Sequence, residues 1–193
     1  MKQLRSLIRR HRRYTTAAAI AACLAVAAVW LRIGPIPPGL LDLSDTTSTV
    51  VVDRRGVPLY EALSGDGTRS IHLTAGSLPP ALVAATVAAE DRRFWSHAGV
   101  DPIAIVRAAR ANLAERSIEQ GGSTITQQVA KLLLNRRSPG RVRGVAGKIG
   151  EAVLALRLEH RLEKREILAM YLNLAAYGNQ IVGASRASRA YFA

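Results

Sequence analysis

Three polar clusters in this 193-residue chain have the residue types that acid–base and phosphate chemistry requires. The first is Glu90-Asp91, which closes an alanine-rich apolar run and precedes Arg92, Arg93, Phe94, Trp95 and His97. A carboxylate beside apolar and aromatic groups is poorly solvated, so its pKa rises toward the neutral range that suits a general base. The plainer reading pairs the carboxylate with Arg92 or Arg93. His97 reads either as a proton shuttle or as a loop residue that caps a turn.

The second cluster is Gly121-Gly122-Ser123-Thr124-Ile125-Thr126-Gln127-Gln128-Val129-Ala130-Lys131. On a helix, Ile125, Val129, Leu132 and Leu133 form an apolar stripe, and Thr124, Gln127, Gln128 and Lys131 share the opposite face. Two amides, a hydroxyl and an ammonium are donors for sugar hydroxyls and phosphates. The glycines would let backbone N–H groups approach an anion near the helix start. The alternative is an ordinary solvated face. The third cluster is Glu151, one turn after Lys148 and just before the apolar run Ala152 to Leu156. Two half-buried acids suit glycosyl transfer, which needs a base for the attacking hydroxyl and stabilisation of the leaving group. A surface Lys148–Glu151 pair is the simpler alternative. No His or acidic cluster has metal-site spacing, although a divalent ion can bridge a pyrophosphate and one carboxylate.

These residues need a scaffold. Alanine is abundant and aromatics make up 5% of the chain, which favours helices. Pro79-Pro80 suits a helix start, and that helix runs into Glu90-Asp91. A second helix is expected over about 101–116. A third begins near Thr124, where Thr124-x-x-Gln127 fits a capping box. A long one is expected over 145–174, laced with Arg157, Glu159, Arg161, Glu163, Lys164, Arg165 and Glu166. Residues 49–63 read as a hairpin turning at Asp53-Arg54-Arg55-Gly56. The expected fold is mainly α with a small β element at its entrance.

The formal net charge is +13, of which residues 1–13 supply six positive charges and no acid. A basic body implies an anionic partner: nucleic acid, phospholipid head groups or a phosphorylated substrate. Residues 14–31 carry no charge and span roughly 27 Å as a helix, close to the hydrocarbon core of a bilayer. Trp30 sits at the distal edge, where an indole prefers the interface. The expected organisation is a cytoplasmic basic segment (1–13), a transmembrane signal anchor (14–32), a proline-stiffened linker (33–48) and an outward-facing body (49–193). A cleaved signal peptide, or lipoprotein processing at Ile20-Ala21-Ala22-Cys23, are the rival readings. The apolar run continues past Cys23 to Leu31, which favours the uncleaved anchor. Cys23 is the only cysteine, which excludes an internal disulfide and a thiolate zinc cluster. An outward-facing body also argues against nucleic acid as the partner.

Five motifs in order carry a family resemblance. Glu90 to Asp101, Gly122 to Lys131, Lys148-x-x-Glu151 with Leu158-Glu159, Lys164 to Asn173, and Tyr177-Gly178 with Gly183 and Ala190-Tyr191-Phe192 resemble the motifs of the family 51 glycosyltransferases. These are the peptidoglycan transglycosylase domains of class A penicillin-binding proteins and of monofunctional transglycosylases. The resemblance covers roughly residues 48–193. It implies a lysozyme-like helical lobe beside a smaller, membrane-dipping lobe that holds about residues 103–120. It implies lipid II and a growing lipid-linked glycan as substrates, membrane lipids as neighbours, and cell-wall synthesis or division proteins as candidate partners. By carry-over, Glu90 is the base on the acceptor hydroxyl, and the β-1,4 bond forms with inversion. Glu151 organises the donor pyrophosphate, directly or through Mg²⁺ or Mn²⁺, with no metal obligatory. Lys131, Lys148 and Arg143 neutralise the departing pyrophosphate. Ser123, Thr124, Gln127 and Gln128 bind substrate, and Asp91, Phe94 and His97 shape the pocket around Glu90.

The chain departs from the family pattern at Gly147, where arginine is usual, and at Leu132, where asparagine is common. The family domain also continues for several helices past the Tyr-Phe of its last motif, so the resemblance implies that the C-terminal part of the domain is absent. A truncated, non-catalytic module that binds lipid II or a partner is the alternative function. A cell-wall hydrolase is a third reading, which would make little use of cations at a pyrophosphate site.

Overall fold

The computed structural model describes residues 2–65, 67, 72–115, 122–138, 140, 144–178 and 181–192. It is mainly helical and divides into two units, Met1–Pro35 and Ile36–Ala193. The first unit is the helix α1 (Lys2–Ile33). Within it, Tyr14–Ile33 is long and apolar enough to cross a membrane. Its side chains there are exposed, including Ile20, Leu24, Val26 and Val29, as expected of a helix whose surroundings are lipid.

The second unit opens with a segment that differs from a free spacer. Leu40 is buried in the main core, and Ile36, Leu41 and Leu43 pack against it. Arg137 Nη1 donates to the Pro38 carbonyl at 3.4 Å, fastening this strap near the end of a core helix. Apolar residues among the prolines make the difference: four large side chains at 36, 40, 41 and 43 gain more from burial than from solvent.

The hairpin pairs β1 (Thr49–Val52) with β2 (Pro58–Ala62) in antiparallel register, Thr49 opposite Ala62. Asp53 builds the turn: its Oδ1 accepts from the Arg55 and Val57 amides at 2.7 and 2.8 Å. Gly56 completes it with a φ of +80°, a conformation other residues adopt only with strain.

The helices of the body are α2 (Pro80–Glu90), α3 (Pro102–Glu115), α4 (Ile125–Arg137), α5 (Gly144–Arg161), α6 (Lys164–Leu174) and α7 (Ala184–Phe192). The single long helix expected over 145–174 is therefore two. Glu163 ends the continuity because it serves as the N-cap of α6, where the Glu166 carboxylate accepts from the Glu163 amide at 2.7 Å. A reciprocal cap satisfies donors that an uninterrupted helix would bond internally, so two short helices fold back on each other.

α4 lies at the centre, packed on α5 and α6. Its Ile125, Val129 and Leu133 are buried against Leu158 of α5, Ile167, Leu168 and Leu172 of α6, and Phe94. Each such side chain stabilises the fold by roughly 1.5–3 kcal/mol. Leu132, expected on the same stripe, is only half-buried. A polar hub ties the same elements: Glu159 Oε1 accepts from Thr126 Oγ1 and from Lys164 Nζ, both at 2.6 Å. Lys164 Nζ also donates to the His97 carbonyl and lies 4.5 Å from the Phe94 ring centre. Gly99 lets the loop after α2 touch α5. Its φ is +93°, and a Cβ there would lie 2.7 Å from the Ala155 carbonyl oxygen. Gly99→Ala is therefore expected to cost about 3 kcal/mol of stability, from backbone strain and overpacking together. Thermal unfolding in detergent checks this; an unchanged midpoint would contradict it.

Candidate active site

Glu90 ends α2 and is exposed. The apolar burial expected around it is absent, because its α2 neighbours Ala88 and Ala89 are themselves exposed and the Phe94 ring turns into the core. Its Oε2 accepts a hydrogen bond from Gln128 Nε2 at 2.9 Å, rather than pairing with Arg92 or Arg93. Gln128 stands one turn into α4, so this contact joins the first two clusters.

Asp91, buried beside it, positions rather than reacts. Its Oδ2 accepts from the Ile125 amide at 3.0 Å and from His97 Nε2 at 2.9 Å. The Gly99 amide donates to His97 Nδ1, so the ring proton lies on Nε2 and points at Asp91. Both ring nitrogens are thus engaged, and His97 is a structural strut rather than a proton shuttle. The start of α4 was expected to receive a ligand anion; Asp91 takes that place, with its negative charge at the positive helix end. Gly122 packs against α3, where a Cβ would meet the Ile105 Cα and the Ala108 Cβ, both at 3.3 Å. Gly121 lies outside the described residues. Phe94 is fully buried, edge-on to Trp95 and His97, and supports the loop from within the core.

Thr124 is also structural. Its hydroxyl donates to the Gly99 carbonyl at 2.6 Å and accepts from the Gln127 amide at 3.1 Å, while Gln127 Oε1 accepts from the Thr124 amide. The expected capping box forms, and the one hydroxyl donor of Thr124 is taken by the Gly99 carbonyl, leaving none for sugar or phosphate. Thr124→Ala should lower stability by about 1–2 kcal/mol while leaving substrate affinity nearly unchanged. A raised KM in a fully folded variant would contradict this assignment.

The remaining candidates meet in one cavity of about 340 Å³, lined by Ser123, Gln127, Gln128, Lys131, Lys148 and Glu151 together with Leu132, Tyr171, Ala175 and Ala176. Glu151 is 2% exposed, and its Oε2 accepts from Lys148 Nζ at 2.6 Å. Lys131 is exposed at the rim. Arg143 lies outside the described residues. Glu151 lines this cleft, whereas Glu90 lines a neighbouring cavity and is tied to the cleft by its hydrogen bond from Gln128. The cavity therefore presents a buried acid and two ammonium groups to one space, with the base candidate bonded to its wall residue Gln128.

Tyr171 and Tyr177 are site residues to which sequence reasoning gave no role. Tyr171 faces the cavity from α6. Burial pushes its phenol up to about 12, with the Glu90 carboxylate and Tyr177 adding to the rise. Burial, then Glu90, raises Tyr177 as well. Both phenols keep their protons at neutral pH and can donate beside Glu90. Tyr177 is held by a tight return of the chain, with its amide on the Ile181 carbonyl at 2.9 Å and an Ala176–Val182 bridge. Neutral Tyr171 favours the folded state below pH 10, and that advantage fades as pH rises toward 12. Alkaline unfolding should accordingly begin at higher pH in Tyr171→Phe; an identical alkaline limb in both proteins would refute it. The signal for Tyr171 was available as a single phenol within the apolar run 167–172 of α6.

No cage of three His, Cys, Asp or Glu side chains exists among the described residues. In the cavity Glu151 is the one carboxylate, and the Lys148 ammonium already sits on it. The residues present do not form a metal site of their own.

Comparison with known proteins shows the family of the chain. A family model described as Transglycosylase matches residues 56–193. Penicillin-binding protein 1A of Aquifex aeolicus is 42% identical over 124 residues, covering 64% of this chain and 16% of that protein. Penicillin-binding protein 1C of Escherichia coli is 40% identical over 142 residues, covering 74% of this chain and 18% of that protein. Penicillin-binding protein 1A of Escherichia coli is 44% identical over 124 residues, covering 64% of this chain and 14% of that protein. The matched region is thus less than a fifth of each of these relatives. The family model matches most of the chain, in a region that contains Glu90 and Glu151: the chain belongs to the transglycosylase family.

Proposed function

We propose that the protein polymerises lipid II into β-1,4-linked glycan at the outer surface of the bacterial cytoplasmic membrane, held there by the Tyr14–Ile33 helix. The observation that carries this reading is a cleft lined by Glu151, Lys131 and Lys148, to whose wall residue Gln128 the Glu90 carboxylate is hydrogen-bonded. Glu90, oriented by Gln128, removes the proton from the acceptor's 4-hydroxyl. The oxygen attacks the donor's anomeric carbon, the bond to the pyrophosphate breaks, and the electron pair leaves with undecaprenyl pyrophosphate. Inversion follows from attack opposite the leaving group. Bound substrate, rather than the protein alone, takes the exposed Glu90 out of water.

Charge on the leaving group is the largest electrostatic demand of this reaction. Lys131 and Lys148, with Arg143 beyond the described region, meet it. Glu151 holds Lys148 in place and keeps its ammonium aimed into the cleft. A Mg²⁺ or Mn²⁺ ion arriving with the pyrophosphate would meet Glu151 in exchange for Lys148. Ser123, Gln127 and Gln128 orient the sugars. The basic N-terminal residues would stay cytoplasmic under the positive-inside rule, leaving the body outside.

The direct test is conversion of labelled lipid II to long glycan by the chain in liposomes. Product that lysozyme degrades supports the reading. Tight binding of lipid II without product would favour the non-catalytic binding module instead.

A further inference from the structure

Away from the cleft, four charged side chains line one cavity without closing on one another. The cavity has a volume of about 250 Å³ and lies where the strap meets the last turn of α4. Leu40 and Leu133, both buried, back it, and its charged lining is Asp42, Asp45, Arg136 and Arg137. All four charged residues are exposed, yet no ion pair joins an acid to a guanidinium here among the described residues. Asp42 Oδ1 accepts from the Ser44 amide at 3.0 Å. That contact and the Ser44 hydroxyl hold its carboxyl below the usual range, with the Arg136 charge adding to the effect. Asp42 is therefore ionised at neutral pH. Arg137 Nη1 donates to the Pro38 carbonyl at 3.4 Å, which leaves most of its N–H groups for another partner. The Asp45 carboxylate and the Arg136 guanidinium have no hydrogen-bond partner among the described residues. Two arginines in the last turn suit the negative end of α4 by themselves. That does not account for two carboxylates lining the same space.

We infer that this cavity is a recognition site for an α-amino acid group, taking its carboxylate on Arg136 and Arg137 and its ammonium on Asp42 and Asp45. A guanidinium fork matches the oxygens of a carboxylate, and paired carboxylates supply acceptors for the three donors of an ammonium. A ligand with one charge alone would meet attraction and repulsion from this lining together. A ligand with both charges a few Å apart is attracted at each end. The volume falls below the roughly 300–1,000 Å³ that holds a drug-sized ligand, which suits a group this small. The site is separate from the cleft. The two cavities share no lining residue, and at about 1.5 Å per residue Arg136 lies roughly 12 Å along α4 from Gln128. The inference therefore stands whether or not the chain polymerises. Two sources offer this chemistry: a free amino acid, and a peptide residue whose side chain ends in one.

The test titrates the full chain in detergent with two probes. One is free alanine. The other is a short peptide, capped at its own termini, whose 2,6-diaminopimelate side chain ends in an α-amino acid group. Acetylation then blocks the ammonium of each probe, and amidation neutralises the carboxylate. The parent should bind at least one probe, and blocking either charge should weaken that binding about tenfold. Arg136→Gln and Asp45→Asn should each weaken the unblocked probe by a similar factor. Their unfolding midpoints should match the parent, because neither side chain holds another. Binding of the peptide alone identifies a peptide as the source; comparable binding of alanine identifies the free amino acid. No saturable binding of either probe overturns the site. So does binding that survives both blocks, or that either substitution leaves unchanged.

Discussion

Glu90→Gln lowers the turnover number of glycan formation about 10³-fold and leaves the protein folded. The amide keeps an oxygen where Gln128 Nε2 now donates, so the α2–α4 contact survives. It cannot accept the hydroxyl proton, so the chemical step is lost while substrate binding persists. Because Glu90 is exposed and no core contact depends on it, thermal unfolding should not distinguish the variant from the parent. A large fall in turnover with little change in KM is the signature of an interaction made only in the transition state. A variant that lost stability and activity together would instead make Glu90 a helix-end support.

Glu151→Leu and Lys148→Met each reduce turnover by about 10²–10³-fold, and the double variant is scarcely worse than either. The two side chains act as one device, since the 2.6 Å contact is what aims the ammonium. Removing Glu151 releases Lys148 to solvent, where it is already 57% exposed. Removing Lys148 strands a buried carboxylate, which repels the pyrophosphate instead of organising a cation for it. Groups that work as a unit give strongly non-additive losses, and a double-mutant cycle on turnover measures that coupling. Fully multiplicative losses would mean that Glu151 has a separate role.

Local chemistry made much of this legible in the residues. The hairpin followed from β-branched residues around Asp53 and Gly56, and the start of α4 from the Thr124–Gln127 capping box. Both depend on neighbours within four positions, which a sequence displays directly. The break between α5 and α6 was hidden because Glu163 belongs to a run of charged residues that also suits an exposed helix. Its capping role appears only when Glu166 folds back on it.

Tertiary pairing was legible less evenly. Asp91, Thr124 and His97 have the residue types of a binding site, yet each is satisfied by a partner in another element. Their spacing in sequence, such as 34 positions between Asp91 and Ile125, carries no hint of this. Phe94 was expected at the pocket and lies in the core, because an unbranched aromatic after a helix end gains most from full burial. The expected solvation of Glu90 was reversed for the same reason: apolar neighbours in sequence face inward and leave the carboxylate outside. The Lys148–Glu151 pair, one turn apart within α5, was the site contact that a local rule could reach.

A crystal structure with a non-reacting donor pyrophosphate and an acceptor disaccharide tests the central arrangement most directly. The account predicts pyrophosphate oxygens within hydrogen-bond distance of the Lys131 and Lys148 ammonium groups, and the acceptor's 4-hydroxyl on Glu90. A pyrophosphate seated away from both lysines, or a bound acceptor that leaves Glu90 without a sugar hydroxyl, would contradict it.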